Sequence, residues 1–138
     1  MAQSIGEVMT HTTRTLETDA TVQQAAQVMA EDDIGAVIVC RDGRVAGIVT
    51  DRDITVRATA QGKGTETTLG DVCSGDVVTL SPSDTVGDAV QIMREKAVRR
   101  VPVVEGDKPV GIVSIGDLAI ERDARSALAD ISAAEGNT

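Results

Sequence analysis

Two four-residue stretches, Thr50-Asp51-Arg52-Asp53 and Ser114-Ile115-Gly116-Asp117, each place a hydroxyl three residues ahead of a carboxylate, directly after Gly-Ile-Val. Two chemistries compete for that spacing. In a capping box the hydroxyl is a helix N-cap that accepts from the N–H three residues on, while the acid reaches back to the cap's own N–H. The same helix entrance, with free N–H groups and a positive dipole end, is also an anion site, and an aspartate at its rim can accept both hydroxyls of a ribose. The second chemistry adds to the first without replacing it. Arg99 and Arg100 supply adjacent guanidiniums, which bind phosphate bidentately or else serve as solvated charges paired with nearby carboxylates.

Catalytic sets are harder to assemble. His11 is the sole histidine, expected on an exposed loop, and no nucleophile stands beside a base or a second clustered acid. Cys40 and Cys73 lack the spacing of a zinc site or a redox pair and are read as buried, reduced thiols, so no metal site is expected. The chain reads as no enzyme. With no Phe, Trp or Tyr, it has no stacking platform for single-stranded nucleic acid, and a ring ligand must be gripped by aliphatic side chains and backbone. A formal charge of −9 repels polyphosphates and anionic membrane surfaces, which argues against nucleic-acid and membrane partners. The opening MAQSIGEVMT has no signal-peptide character and no apolar run approaches the length of about 20 residues needed to cross a bilayer, so the expected location is cytoplasmic.

The elements that must position these residues occur twice. Sliding the chain on itself by 64 residues aligns positions 5–55 with 69–119 without a gap: Gly6 falls on Gly70, Thr15 and Leu16 on Thr79 and Leu80, Met29 on Met93, and Gly47, Ile48, Val49 and Asp53 on Gly111, Ile112, Val113 and Asp117. A unit of roughly fifty residues is below the usual size for an independent core, so the copies should pack on each other. In each, an extended piece (TRTL, VVTL) leads to a Thr-Val helix start. Apolar residues then recur at helical spacing, Val22, Ala25, Ala26 and Met29 in one copy and Val86, Ala89, Val90 and Met93 in the other. Next come AVIVC and VPVV, each followed by a polar turn (RDGR, EGDK) and a second strand (VAGIVT, PVGIVS), which is a hairpin. DRDITVRATA and IGDLAIERDARSALADI read as closing helices. The fold class is α/β, two β-α-β-β-α repeats. The expected organisation is repeat 1 over 4–60, a linker over 61–67, repeat 2 over 68–122, and a C-terminal helix with a frayed tail over 123–138.

The order of motifs, from G-E-V-M-T through V-R-R-V-P-V-V to G-I-V-T/S-x-x-D, resembles a tandem pair of CBS domains, named after cystathionine β-synthase and joined as a Bateman module, over residues 4 to about 122. The resemblance implies two small sheets packed face to face in pseudo-twofold symmetry, two clefts, and pairs that dimerise into a disc. It also implies a ligand such as AMP, ADP, ATP or S-adenosylmethionine, with no cofactor required. Carried over by position, ribose and phosphate contacts fall on Asp53 and Thr50 for one cleft and on Asp117 and Ser114 for the other. Thr15 and Leu16, with Thr79 and Leu80, line the clefts, and apolar backbone around Pro102 and Val103 meets the adenine.

The copies then diverge. Arg99, Arg100 and Pro102 face Gly35, Ala36 and Ile38, so only one copy offers the arginine pair, and Asp51-Arg52 faces Ile115-Gly116. The leading expectation is a stand-alone regulatory module that senses an adenine nucleotide and signals to an unidentified effector protein. The alternative is a ligand-free dimeric scaffold. Val56, Ala58, Leu118, Ala119, Leu128 and Ile131 are candidate dimer contacts or ordinary core.

Overall fold

The computed structural model describes residues 3–11, 14–73 and 77–122, side chains 120–122 excepted. It is mixed α/β and forms two compact units, Arg14–Val77 (the first unit) and Met1–Thr13 with Val78–Thr138 (the second unit). The continuation of the last helix past Arg122, with Leu128 and Ile131, lies outside the described residues.

In the first unit, strand β2 (Thr15–Glu17) runs parallel to β3 (Ala36–Arg41), which forms a hairpin with β4 (Arg44–Thr50), giving sheet order β2-β3-β4. The hairpin turn is Asp42-Gly43, both at positive φ (54° and 82°), the conformation that matches the twist of the flanking strands. Helix α2 (Val22–Asp32) opens on Thr21, whose hydroxyl accepts from Gln24 N–H while the Gln24 side chain accepts from Thr21 N–H. It buries Val22, Ala25, Val28 and Met29 against Val37, Val39 and Val49 of the sheet. Ala26, expected on that face, is exposed, and Val28 takes its place. After Thr50 the chain is helical to Gln61, beginning as α3 (Asp51–Asp53), widening to a π turn over Ile54–Ala58 and tightening to a 3-10 turn over Thr59–Gln61. Ala58, within the wide turn, is in the core.

The second unit repeats the plan. Helix α5 (Val86–Lys96) opens on a reciprocal Thr85–Asp88 pair and buries Val86, Ala89 and Met93. Strands β5 (Arg100–Glu105) and β6 (Lys108–Ser114) form the hairpin, and helix α6 (Ile115–Arg122) follows. A short strand β1 (Thr10–His11) pairs antiparallel with β6 on its other side, giving order β1-β6-β5. Both hairpins carry a register irregularity at the same place in the repeat, Val39/Cys40 and Val103/Val104.

The counterpart of β2 is reduced to a single parallel bridge, Leu80 to Val103, with Leu80 N–H on Pro102 O at 3.0 Å and Val104 N–H on Leu80 O at 2.8 Å. Prolines explain the loss. Thr18 N–H closes the β2 ladder on Cys40 O at 3.0 Å, but Pro82 holds the place of Thr18, and Pro102 holds that of Ile38 on the partner strand. Neither has an N–H to give, so the ladder is confined to the one rung between them.

The sequence repeats in order along the chain, but the units exchange their opening segments. Helix α4 (Leu69–Val72), which begins the second copy, docks on the first unit through Leu69 N–H to Ala20 O (2.8 Å) and Gly70 N–H to Thr18 O (2.9 Å), burying Leu69 and Val72 in that unit's core. The matching helix α1 (Ile5–Val8) docks on the second unit through Ile5 N–H to Asp84 O (2.8 Å) and Gly6 N–H to Pro82 O (2.9 Å), with Ile5 in that core. The chain just ahead of each helix serves as a cap: Thr67 O accepts from Val22 N–H at 2.8 Å and Gln3 O from Val86 N–H at 3.1 Å. The first N–H of each helix, Val22 in α2 and Val86 in α5, is thus satisfied by backbone, and a later one by the Thr21 or Thr85 hydroxyl.

Candidate ligand-binding site

Each repeated hydroxyl-and-acid pair stands where a hairpin strand hands over to a helix. In the first unit Asp53 Oδ2 accepts from Thr50 N–H at 2.9 Å and Thr50 Oγ1 accepts from Asp53 N–H at 3.0 Å. In the second, Asp117 Oδ2 accepts from Ser114 N–H at 2.9 Å and Ser114 Oγ accepts from Asp117 N–H at 3.2 Å. Both are reciprocal caps, and both acids are half-buried.

Their free oxygens meet different surroundings. Asp53 Oδ1 lies 3.8 Å from Arg57 Nε one helical turn on, and Arg57 Nη1 also donates to Val72 O at 3.2 Å, tying the helical segment to α4. Asp117 Oδ1 instead accepts from the hydroxyl of Thr10 at 3.3 Å, while Ser114 Oγ adds a second donor to Oδ2 at 3.1 Å. Burial raises the Asp117 pKa above the ordinary aspartate range, opposed by the hydrogen bonds from Ser114 N–H, the Ser114 hydroxyl and Thr10.

A raised pKa means that the folded chain holds this proton more tightly than the unfolded one. The Asp117 contribution therefore leaves stability untouched below the unfolded value and subtracts from it as pH climbs to the folded value and beyond. Asp117→Asn should flatten that part of the acid-range decline, read from urea midpoints of both proteins across the acid range. A difference between the two that does not change with pH would contradict it.

Among the other candidates, Thr15 is exposed on β2 opposite Ile38 in the ladder, and Leu16 is half-buried against the first core. Thr79 is exposed, whereas Leu80 and Val103 are core residues of the second unit and Pro102 is fully buried. Arg100 is opposite Ser114 in the β5–β6 ladder, and Arg99 O accepts from Ile115 N–H at 3.0 Å. The arginine pair, Ser114 and Asp117 thus meet at one corner of one unit. In the first unit that corner holds Gly35, which accepts from Asp51 N–H at 3.1 Å, and Ala36 opposite Thr50.

Sequence reasoning passed over Thr10 and Arg57. Arg57 stands four residues after Asp53, a helical spacing that could have been noticed. Thr10 is 107 residues from Asp117, and no local pattern announces it. Of the candidate dimer contacts, Ala58 and Leu118 are core, Ala119 is half-buried and Val56 is exposed. His11 is exposed on β1, and among the described residues no group of three His, Cys, Asp or Glu side chains is placed to hold a metal ion. Cys40 and Cys73 are free thiols whose pKa values burial pushes up, which makes them poor nucleophiles. Among the described residues no helix is long and apolar enough to cross a membrane.

Comparison with known proteins agrees with this geometry. The family model of the CBS domain matches residues 5–58 and again 69–123. The chain is 38% identical over 133 residues to the CBS domain-containing protein YhcV of Bacillus subtilis (strain 168), covering 94% of this chain and 95% of that one. A solved protein with CBS domains from Burkholderia ambifaria MC40-6 superposes with TM-score 0.74 at 32% identity, over 83% of this chain and 85% of that one. The CBS domain pair of protein MJ0100, solved with 5′-methylthioadenosine and S-adenosyl-L-methionine, shares the fold with TM-score 0.80 at 21% identity, over 91% of this chain and 100% of that one. Two matched segments, two α/β units and one repeated strand-to-helix cap place the chain in the CBS domain family, as a tandem pair.

Proposed function

We propose that the chain is a regulatory module, dimeric and acting on a separate effector protein, that binds an adenine nucleotide or S-adenosylmethionine at the Asp117 corner of the second unit. The observation that carries this reading is that corner: a half-buried carboxylate at the entrance of α6, with Ser114 beside it and Arg99 and Arg100 on the adjoining strand end. The aspartate suits a ribose, and the helix entrance and guanidiniums suit a phosphate. The ligands held by the MJ0100 pair are of the same chemical class. Occupancy can switch an effector only if two conformations of the module differ in affinity for the ligand.

A ligand-free dimeric scaffold is the second reading. It is favoured by the completeness of both caps, since each hydroxyl-and-acid pair is already reciprocally hydrogen-bonded, and by the charge of −9. A thermal-shift panel of AMP, ADP, ATP, S-adenosylmethionine and NADH separates the two. A ligand at about a hundred times its dissociation constant adds about 2.7 kcal/mol to stability, and Asp117→Asn should remove the shift. No shift at millimolar ligand would favour the scaffold.

A further inference from the structure

Resting on the reading that Asp117 receives a ribose, we infer that Thr10 is the residue that sets how many sugar hydroxyls this carboxylate accepts, its own hydroxyl holding one of the acceptor positions that a vicinal diol needs. An ionised carboxylate has two oxygens with about four lone-pair sites. Two are taken at Oδ2, by the N–H and the hydroxyl of Ser114, at 2.9 and 3.1 Å. At Oδ1, Thr10 Oγ1 takes a third at 3.3 Å. One site remains. A single sugar hydroxyl can use it with no rearrangement, but a cis-diol brings two donors and must turn Thr10 away.

The donor that yields is Thr10. Its bond is the longest of the three, its side chain is exposed, and it comes from the two-residue strand β1, whereas Ser114 is fixed by the cap and by its place opposite Arg100. In the first unit Asp53 Oδ1 faces Arg57 Nε at 3.8 Å, and the position equivalent to Thr10, Ser74, lies outside the described residues. Thr10 is therefore a positioning residue for Asp117 and a specificity residue for the ligand.

The test uses the full chain, with AMP and S-adenosylmethionine as diol probes and 2′-deoxy-AMP as the single-hydroxyl probe, titrated by calorimetry. Thr10→Val keeps the β-branched shape and the pairing with Ile112 but removes the hydroxyl. It should tighten AMP by about threefold to tenfold, the range of one exchanged hydrogen bond, and leave 2′-deoxy-AMP unchanged. Thr10→Ser, which restores a hydroxyl, should return the wild-type ratio. An unchanged or lowered ratio of the two affinities in Thr10→Val would overturn the role of Thr10. If Asp117→Asn nonetheless lost AMP, the ribose reading would stand without it. A wild-type chain that binds none of the probes would overturn both.

Discussion

Leu69→Ala is expected to cost about 2–5 kcal/mol, a large share of the roughly 5–15 kcal/mol that holds a domain folded, and to weaken the first unit rather than the copy to which Leu69 belongs in sequence. Leu69 is fully buried, packs in the core formed by Val22, Ala25, Met29, Val37 and Val49, and its N–H is bonded to Ala20 O. Truncation leaves a cavity under α2 that a four-residue helix cannot collapse to fill. Hydrogen exchange should accordingly rise in α2, β3 and β4. Ile5→Ala is the matching change, and it should raise exchange in α5, β5 and β6, where Ile5 is buried. If each substitution loosened the copy that contains it in sequence, the exchange of opening segments would be refuted. A loss below about 1 kcal/mol would show that α4 contributes little to the core.

What could be read in the sequence was local in origin. Apolar spacing located α2 and α5, and β-branched runs around Asp42-Gly43 and Gly106-Asp107 located both hairpins, because each signal lies within one element or one turn. The Thr50/Asp53 and Ser114/Asp117 caps were legible for the same reason, since both partners sit within four residues. The π widening over Ile54–Ala58 was not, because DRDITVRATA carries no residue that forces it and the burial of Ala58 is a tertiary matter. Strand β1 is two residues long, too short for any alternation, and its partner Ile112 lies a hundred residues downstream of Thr10. The docking of α1 and α4 on the opposite copy was hidden by the repeat itself. Ile5 and Leu69 occupy equivalent positions, so a self-alignment looks the same whether each helix packs at home or away. Arg99 and Arg100 were visible as a pair, but only the ladder shows that Arg100 faces Ser114 and that Arg99 anchors Ile115.

Gly111→Ala tests the glycine of the repeated Gly-Ile-Val and should dislodge β1. A β-carbon at Gly111 would stand 2.7 Å from Met9 Sδ and 2.7 Å from the Thr10 carbonyl oxygen. The sulfur belongs to a flexible side chain and can move, but the carbonyl is backbone, so relief requires the strand Thr10–His11 to leave the edge of β6. Such overpacking costs about 1–3 kcal/mol, and here it falls on one short pairing instead of being spread through a core. Ile5 stays anchored by its bond to Asp84 O, so the loss should be confined to residues 9–11, seen as raised exchange at β1 and β6. Gly87→Ala is the control: it lies on α5 with nothing nearer than Thr85 Oγ1 at 3.6 Å, so the methyl fits and helix propensity adds about 0.5–1 kcal/mol. Because β1 carries Thr10, Gly111→Ala should also reproduce the rise in AMP affinity over 2′-deoxy-AMP expected of Thr10→Val, although it leaves the hydroxyl in the sequence. A Gly111→Ala protein with undiminished protection at β1 would mean that the Thr10 carbonyl yields without the strand leaving. In that case the glycine answers to the β5–β6 ladder alone, where it pairs with Val103, and not to the strand it admits.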